Sequence, residues 1–129
     1  MEGRRICQVI ELKQEHQEEY FELHRNTWPA VLEAIRKAHI CDYSINFLPC
    51  PIYVPKSAPS ESIAGLLMAT FKYVGNDFDG DMKGMAEDEE VRKWWKLTDS
   101  MQKSLVDGAT GSVDGLWWLD IDEKFHFGK

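Results

Sequence analysis

Apolar and aromatic residues recur at steps of three and four through the first third of the chain. Tyr20, His24, Trp28, Val31, Ile35 and Ala38 line one side of a helix. The spacing predicts a helix over 13–38. Pro29 lacks an amide proton and clashes with the turn before it, so a break is expected at Thr27–Trp28, with Pro29 opening a second helical piece. Before this segment, Arg4 to Leu12 reads as a strand carrying Ile6, Val9, Ile10 and Leu12. After it, Cys41 to Leu48 alternates: Cys41, Tyr43, Ile45 and Phe47 point one way, and Asp42, Ser44 and Asn46 the other. Ile63 to Val74 is almost continuously apolar, which implies a strand buried on both faces. Gly75 to Gly84 reads as loop. Met85 to Leu105 reads as a helix with acidic residues in its first turn, Asp107 to Gly115 as a turn-rich linker and Leu116 to Phe127 as the last strand.

The order β-α-β-β-α-β is that of a ferredoxin-like α+β domain: an antiparallel four-stranded sheet with two helices on one face. Two helices cover one face only, and the third strand is apolar on both sides. A second copy of the chain is the simplest cover, so a homodimer packed sheet on sheet is expected. At 129 residues the chain is expected to be one domain over 1–129, interrupted at 49–62 by a hairpin insertion with prolines at 49, 51, 55 and 59.

Composition narrows the partners. A net charge of −7 supplies no cationic stripe for nucleic acid. The acidic cluster from Asp77 to Glu90 lacks the ordered ligand spacing of a calcium loop and reads as solvated surface. Cys7, Cys41 and Cys50 form no paired spacing, so neither a disulfide framework nor a metal site is expected; Cys7 and Cys41 read as small core residues. No apolar run reaches the length of a membrane span and no signal-type start precedes the first strand. A cytoplasmic location and no membrane partner are therefore expected.

The feature that carries chemistry is the helix face itself. It sets a phenol, an imidazole and an indole within about two turns, at roughly 1.5 Å rise per residue. An imidazole with a pKa near 6.5 both gives and takes a proton at neutral pH. Between aromatic walls it reads as a proton-transfer group for a small polar ligand; the bland alternative is a core histidine bonded to a backbone carbonyl.

The run Tyr20-Phe21-Glu22-Leu23-His24-Arg25-Asn26-Thr27-Trp28-Pro29 resembles the signature of the L-rhamnose mutarotase family, a Tyr-x-x-x-His followed by Trp-Pro. Trp94-Trp95-Lys96 on the second helix, Asp42-Tyr43-Ser44-Ile45 on the second strand and the ending Glu123 to Phe127 are similar to further markers of that family, in the same order. The resemblance implies a dimeric α/β-barrel enzyme that interconverts the α and β anomers of L-rhamnose without cofactor or metal. It implies His24 as proton donor and Tyr20, Tyr43, Trp94 and Trp95 as sugar-binding residues. Adjacent residues on a helix lie about 100° apart, so the tryptophan pair cannot both centre on one narrow face. Two features depart from the family pattern. Asp42 stands where bacterial members usually carry asparagine, and the insertion is extra, as a pocket lid or as a dimer clasp.

Anomer exchange needs one proton delivered to the ring oxygen and one taken from the C1 hydroxyl, and positioned general acid–base groups suffice. Aromatic walls suit the C–H face of a 6-deoxy pyranose. Two other functions fit the same residues: cofactor-free oxygenation of an aromatic substrate, and sugar binding without turnover.

Overall fold

The computed structural model describes residues 3–56 and 62–128. Arg4–Lys13 (β1) and Ile63–Tyr73 (β3) form the centre of an antiparallel sheet, with Arg4 opposite Tyr73 and Leu12 opposite Gly65. Ile40–Pro49 (β2) flanks β3. The free edge of β1 takes two short strands, Gln102–Lys103 (β4) against Leu12 and Glu11, and Leu119–Asp120 (β5) against Val9 and Gln8. The order β2-β3-β1-β4 is ferredoxin-like, as expected, but its fourth strand is Gln102–Lys103, which the sequence pattern assigns to the end of the Met85–Leu105 helix; that helix ends at Met101.

Alternation along β1 and β3 turns Ile6, Ile10, Leu12, Leu67, Phe71 and Tyr73 toward one face, where the helices lie. Helix α1 (Gln17–Arg25) contributes Tyr20 to this core, and α4 (Glu89–Met101) contributes Met101. Ile35 of α2 (Pro29–Lys37) and Phe78, Met82 and Met85 of α3 (Phe78–Glu87) pack on its other half. The break between α1 and α2 falls where Pro29 requires it. Trp28 is extended (φ −59°, ψ 132°), as a residue before proline prefers, and Pro29 takes the first helical position.

Three expectations are corrected. The segment 75–84 is not all loop, because Asp77 accepts from the Gly80 amide (3.1 Å) and starts α3. The following helix begins at Glu89, since Asp88 leaves the helical conformation and caps the Glu90 and Val91 amides (2.9 and 3.1 Å). The acidic cluster thus supplies two N-caps. The last strand spans only Leu119–Asp120, because β4 already occupies the Glu11–Leu12 edge. One more bond, from the Ile121 amide to the Cys7 carbonyl (2.8 Å), extends the pairing before residues 122–128 run exposed.

The phase of β2 is also corrected. Cys41 pairs with Lys72 and Ser44 with Thr70, so Asp42 and Tyr43 together oppose Phe71 in a β-bulge. Asp42 occupies the left-handed region, with φ 54°. The extra residue reverses the alternation. Ile40 enters the core, Cys41 lies exposed on the opposite face, and Tyr43, Ile45 and Phe47 keep the helix side. Cys7 is half-buried on the same far face as Cys41.

The insertion is seated on that far face. Glu11 is fully buried there, and its Oε2 accepts from the Tyr53 hydroxyl (2.5 Å) and the Lys56 amide (3.0 Å). Residues 57–61 of the expected 49–62 insertion lie outside the described residues.

Left-handed backbone suits Asp, Asn and Gly and excludes β-branched residues. Asp42→Val is therefore expected to lower unfolding free energy by about 1–2 kcal/mol in urea titrations, while Asp42→Gly and Asp42→Asn stay near the parent. A Val variant as stable as the parent would contradict the bulge.

Candidate active site

Tyr20 and His24 lie one turn apart on α1, and their rings stack at 4.2 Å between centroids. Trp94 of α4 meets the His24 ring edge-on at 5.2 Å, and Trp28 meets Trp94 at 5.0 Å. The imidazole is thus held between a phenol and an indole, with the second indole supporting the first. The turn that ends α1 fixes this arrangement. Thr27 Oγ1 donates to the His24 carbonyl (3.1 Å), and the chain then leads Trp28 into the Pro29 helix start.

His24 is half-buried, neither exposed to bulk water nor sealed in the core. Its Nδ1 lies 3.0 Å from the Tyr20 carbonyl oxygen. A carbonyl only accepts, so Nδ1 carries the proton and Nε2 bears the free lone pair whenever the ring is neutral. Burial lowers the His24 pKa below the usual imidazole value; the bond to the Tyr20 carbonyl opposes this and is the weaker effect. The bland reading of a histidine bonded to backbone therefore describes one nitrogen. It leaves the other unassigned.

Tyr20 is 2% exposed, and burial raises its phenol pKa well above normal. Its hydroxyl oxygen accepts from Gln102 Nε2 (3.1 Å), and Gln102 Oε1 accepts from the Trp117 indole N–H (2.8 Å). Tyr43 stacks on Phe71 at 5.1 Å with rings nearly parallel. It exposes 41% of its surface, yet its hydroxyl sits in a desolvated position that pushes the pKa up to about 12. Phe71 belongs to the helix-side core, so Tyr43 lies on the helix side of the sheet.

Of the residues expected at the site, Tyr20, His24 and Trp94 are brought into ring contact, while Tyr43 packs on Phe71 on the helix side of the sheet and makes no ring contact with them among the described residues. Trp94 is 6% exposed and Trp95 half-buried; of the pair, only Trp94 makes ring contact with His24 among the described residues. Trp28 of the same helix-face pattern buttresses Trp94. Asp42 projects into solvent near Arg5 (4.0 Å) rather than toward His24. His126 is exposed and lies 3.8 Å from Glu123. Gln102 and Trp117 were not legible as site residues: Gln102 has no spacing that marks it, and Trp117 lies in the irregular chain before β5. Two cavities of about 570 and 530 Å³ meet at Trp117, and His24 lines neither; the first reaches the site through Gln102. No group of residues arranged to hold a metal occurs among the described residues, and no described helix is long and apolar enough to cross a membrane.

Because Trp94 supplies much of the dry wall, the His24 ring is expected to titrate below about 6.5 by proton NMR. The midpoint should move upward in Trp94→Ala, as water reaches the ring. A midpoint at or above the ordinary value in the parent would contradict this description.

The sequence profile of the L-rhamnose mutarotase family matches residues 5–51 and 61–127, and the unmatched stretch falls inside the proline-rich insertion. An L-rhamnose mutarotase of Lactiplantibacillus plantarum is 26% identical over 122 residues, covering 95% of this chain and 96% of that protein. One of Burkholderia ambifaria is 32% identical over 92 residues, covering 71% and 73%. The crystal structure of an L-rhamnose mutarotase from Formosa agariphila superposes with a TM-score of 0.62 at 19% identity, covering 96% of this chain and 98% of that one, and so shares the fold. With a family profile matched along nearly its whole length and relatives aligned across it, the chain belongs to the L-rhamnose mutarotase family, a family of carbohydrate isomerases.

Proposed function

We propose that the protein interconverts the α and β anomers of L-rhamnose or a closely related 6-deoxy sugar, with His24 as the proton-transfer residue. The observation that carries this reading is the free Nε2 of an imidazole fixed between Tyr20 and Trp94. Neutral His24 takes the proton of the C1 hydroxyl on Nε2. The C1–ring oxygen bond breaks, its electron pair passes to the ring oxygen, and a carbonyl forms at C1. His24, now the imidazolium, donates the same proton to the ring oxygen, to which it is the acid. Rotation about C1–C2 turns the carbonyl over, and the reverse transfers close the other anomer. Both oxygens are bonded to C1, so one nitrogen serves both. Tyr20 and Tyr43 hydrogen-bond sugar oxygens, and Trp94, with Trp95 beside it on α4, faces the apolar side of the ring and its methyl. No cofactor or metal has a role in these steps.

In saturation-transfer NMR, catalytic amounts of protein are expected to speed exchange between the two L-rhamnose anomeric resonances, and His24→Ala to remove at least about 10²-fold of that effect. The neutral ring is the active form and burial disfavours its protonation. The rate should therefore be flat at pH 7–8 and fall only on acidification below about pH 6.5. Oxygen uptake with an aromatic substrate and no effect on sugar would favour an oxygenase. Sugar binding without faster exchange would favour a non-catalytic binder. Exchange unchanged in His24→Ala would refute the assignment of the acid.

The same reading includes a homodimer through the sheet face opposite the helices. Leu48 and Met68 on that face are 40% and 38% exposed, and Val9 beside them is apolar. Sedimentation equilibrium should give about twice the 14.9 kDa chain mass, and Leu48→Lys with Met68→Lys should return a monomer. A monomeric parent at high micromolar concentration would contradict it.

A further inference from the structure

An indole N–H donates and never accepts. Its bond to Gln102 Oε1 at 2.8 Å therefore identifies the oxygen end of the Gln102 carboxamide, which the shape of the amide alone leaves open. The NH₂ end is then the one 3.1 Å from Tyr20, and the Tyr20 oxygen is the acceptor in that pair. A phenol has a single proton, and this one cannot go to Gln102. Among the described residues no acceptor takes it. Both side chains are buried, with Gln102 3% and Tyr20 2% exposed, so in the sugar-free protein the Tyr20 proton is left without an acceptor until a ligand reaches the hydroxyl. Gln102 is held in place twice, by the β4 pairing to Leu12 and by Trp117.

We propose that Gln102 is a positioning residue of the sugar site: locked by Trp117, it donates to the Tyr20 oxygen and so commits the Tyr20 proton to an oxygen of the bound sugar. This rests on the sugar-isomerase reading above and adds a direction to it. The site offers Tyr20 as a donor, so the sugar atom there is an acceptor, the ring oxygen or a hydroxyl oxygen. Gln102 touches no reacting atom. It acts through Tyr20, whose ring also carries His24. Trp117 acts one step further out, by preventing the carboxamide from turning over.

Gln102→Glu tests this with almost no change of shape. As a carboxylate, residue 102 still accepts from Trp117 but now also accepts from Tyr20, drawing its proton away from the sugar. When protonated it can donate to Tyr20 as the amide does. Burial places that titration above the ordinary carboxylate range. The charged groups around position 102 are Glu11, Lys13 and Lys103 on the sheet and Lys56 and Asp107 across the groove. Tyr43 and Asp99 act on Tyr20. All are common to parent and variant, so the ratio of the two rates isolates residue 102. The ratio of kcat/KM for L-rhamnose anomer exchange, variant to parent, is expected to be about 0.1 or lower at pH 8 and to climb as pH falls. A packing role predicts a ratio that does not change with pH, and that result overturns the proposal. Should Gln102→Glu fail to fold, Trp117→Phe carries the test. It frees the carboxamide to turn, so KM should rise severalfold while the His24 titration stays at its parental midpoint; parental KM overturns the proposal. A parent that exchanges sugar normally alongside a flat ratio defeats this inference alone. A parent that exchanges none defeats the isomerase reading and this one with it.

Discussion

The site depends on one anchored ring. A histidine on an amphipathic helix ordinarily faces two outcomes, solvation at the surface or full satisfaction in the core. Here the hydrogen bond from Nδ1 to the carbonyl of Tyr20, one turn earlier, removes the ring's tautomeric freedom and leaves Nε2 as the lone acceptor. Stacking on Tyr20 and the edge of Trp94 fix the ring plane and dry its surroundings. Desolvation and the carbonyl bond pull the imidazole pKa in opposite directions, and desolvation prevails. The result is a half-buried imidazole whose neutral form burial favours and whose Nε2 has no partner among the described residues.

The rest of the fold serves that anchor. The break at Thr27–Trp28 turns the chain so that Trp28 supports Trp94 instead of continuing the α1 face. The β-bulge at Asp42–Tyr43 brings Tyr43 onto the helix side, stacked on Phe71. The short strand β4 carries Gln102 under the Tyr20 hydroxyl. Opposite, the insertion is held down by Glu11, so its described part belongs to the far sheet face rather than to the helix side where His24 lies. One Glu11 oxygen, Oε1, is buried without a partner among the described residues. This marks a polar cost of seating the insertion there.

Much of this was legible in the sequence because it follows period and punctuation. The apolar steps from Tyr20 to Ala38 and the proline at 29 determine α1, α2 and their break, and the same steps put Tyr20 and His24 on one ridge. What escaped was set by single-residue backbone events that leave no periodic trace. An extra residue at position 42 reverses the phase of Cys41, which strict alternation assigns to the core side. Asp77 and Asp88 look like surface charge in a run of acids, and only their caps show that they start helices. The aspartate at 42 looks chemical in the sequence. The left-handed backbone there accepts asparagine and aspartate alike, and the side chain points into solvent. Gln102 is found only through its partners, because a polar residue beside a helix end carries no signal of what it will touch.

The most direct test of the account is the protonation pattern of a single imidazole. In protein labelled with ¹⁵N-histidine at neutral pH, the account predicts that His24 shows a protonated Nδ1 and an unprotonated Nε2, and that L-rhamnose shifts the Nε2 resonance while leaving Nδ1 in place. A neutral ring protonated at Nε2, or a charged ring at that pH, would contradict it.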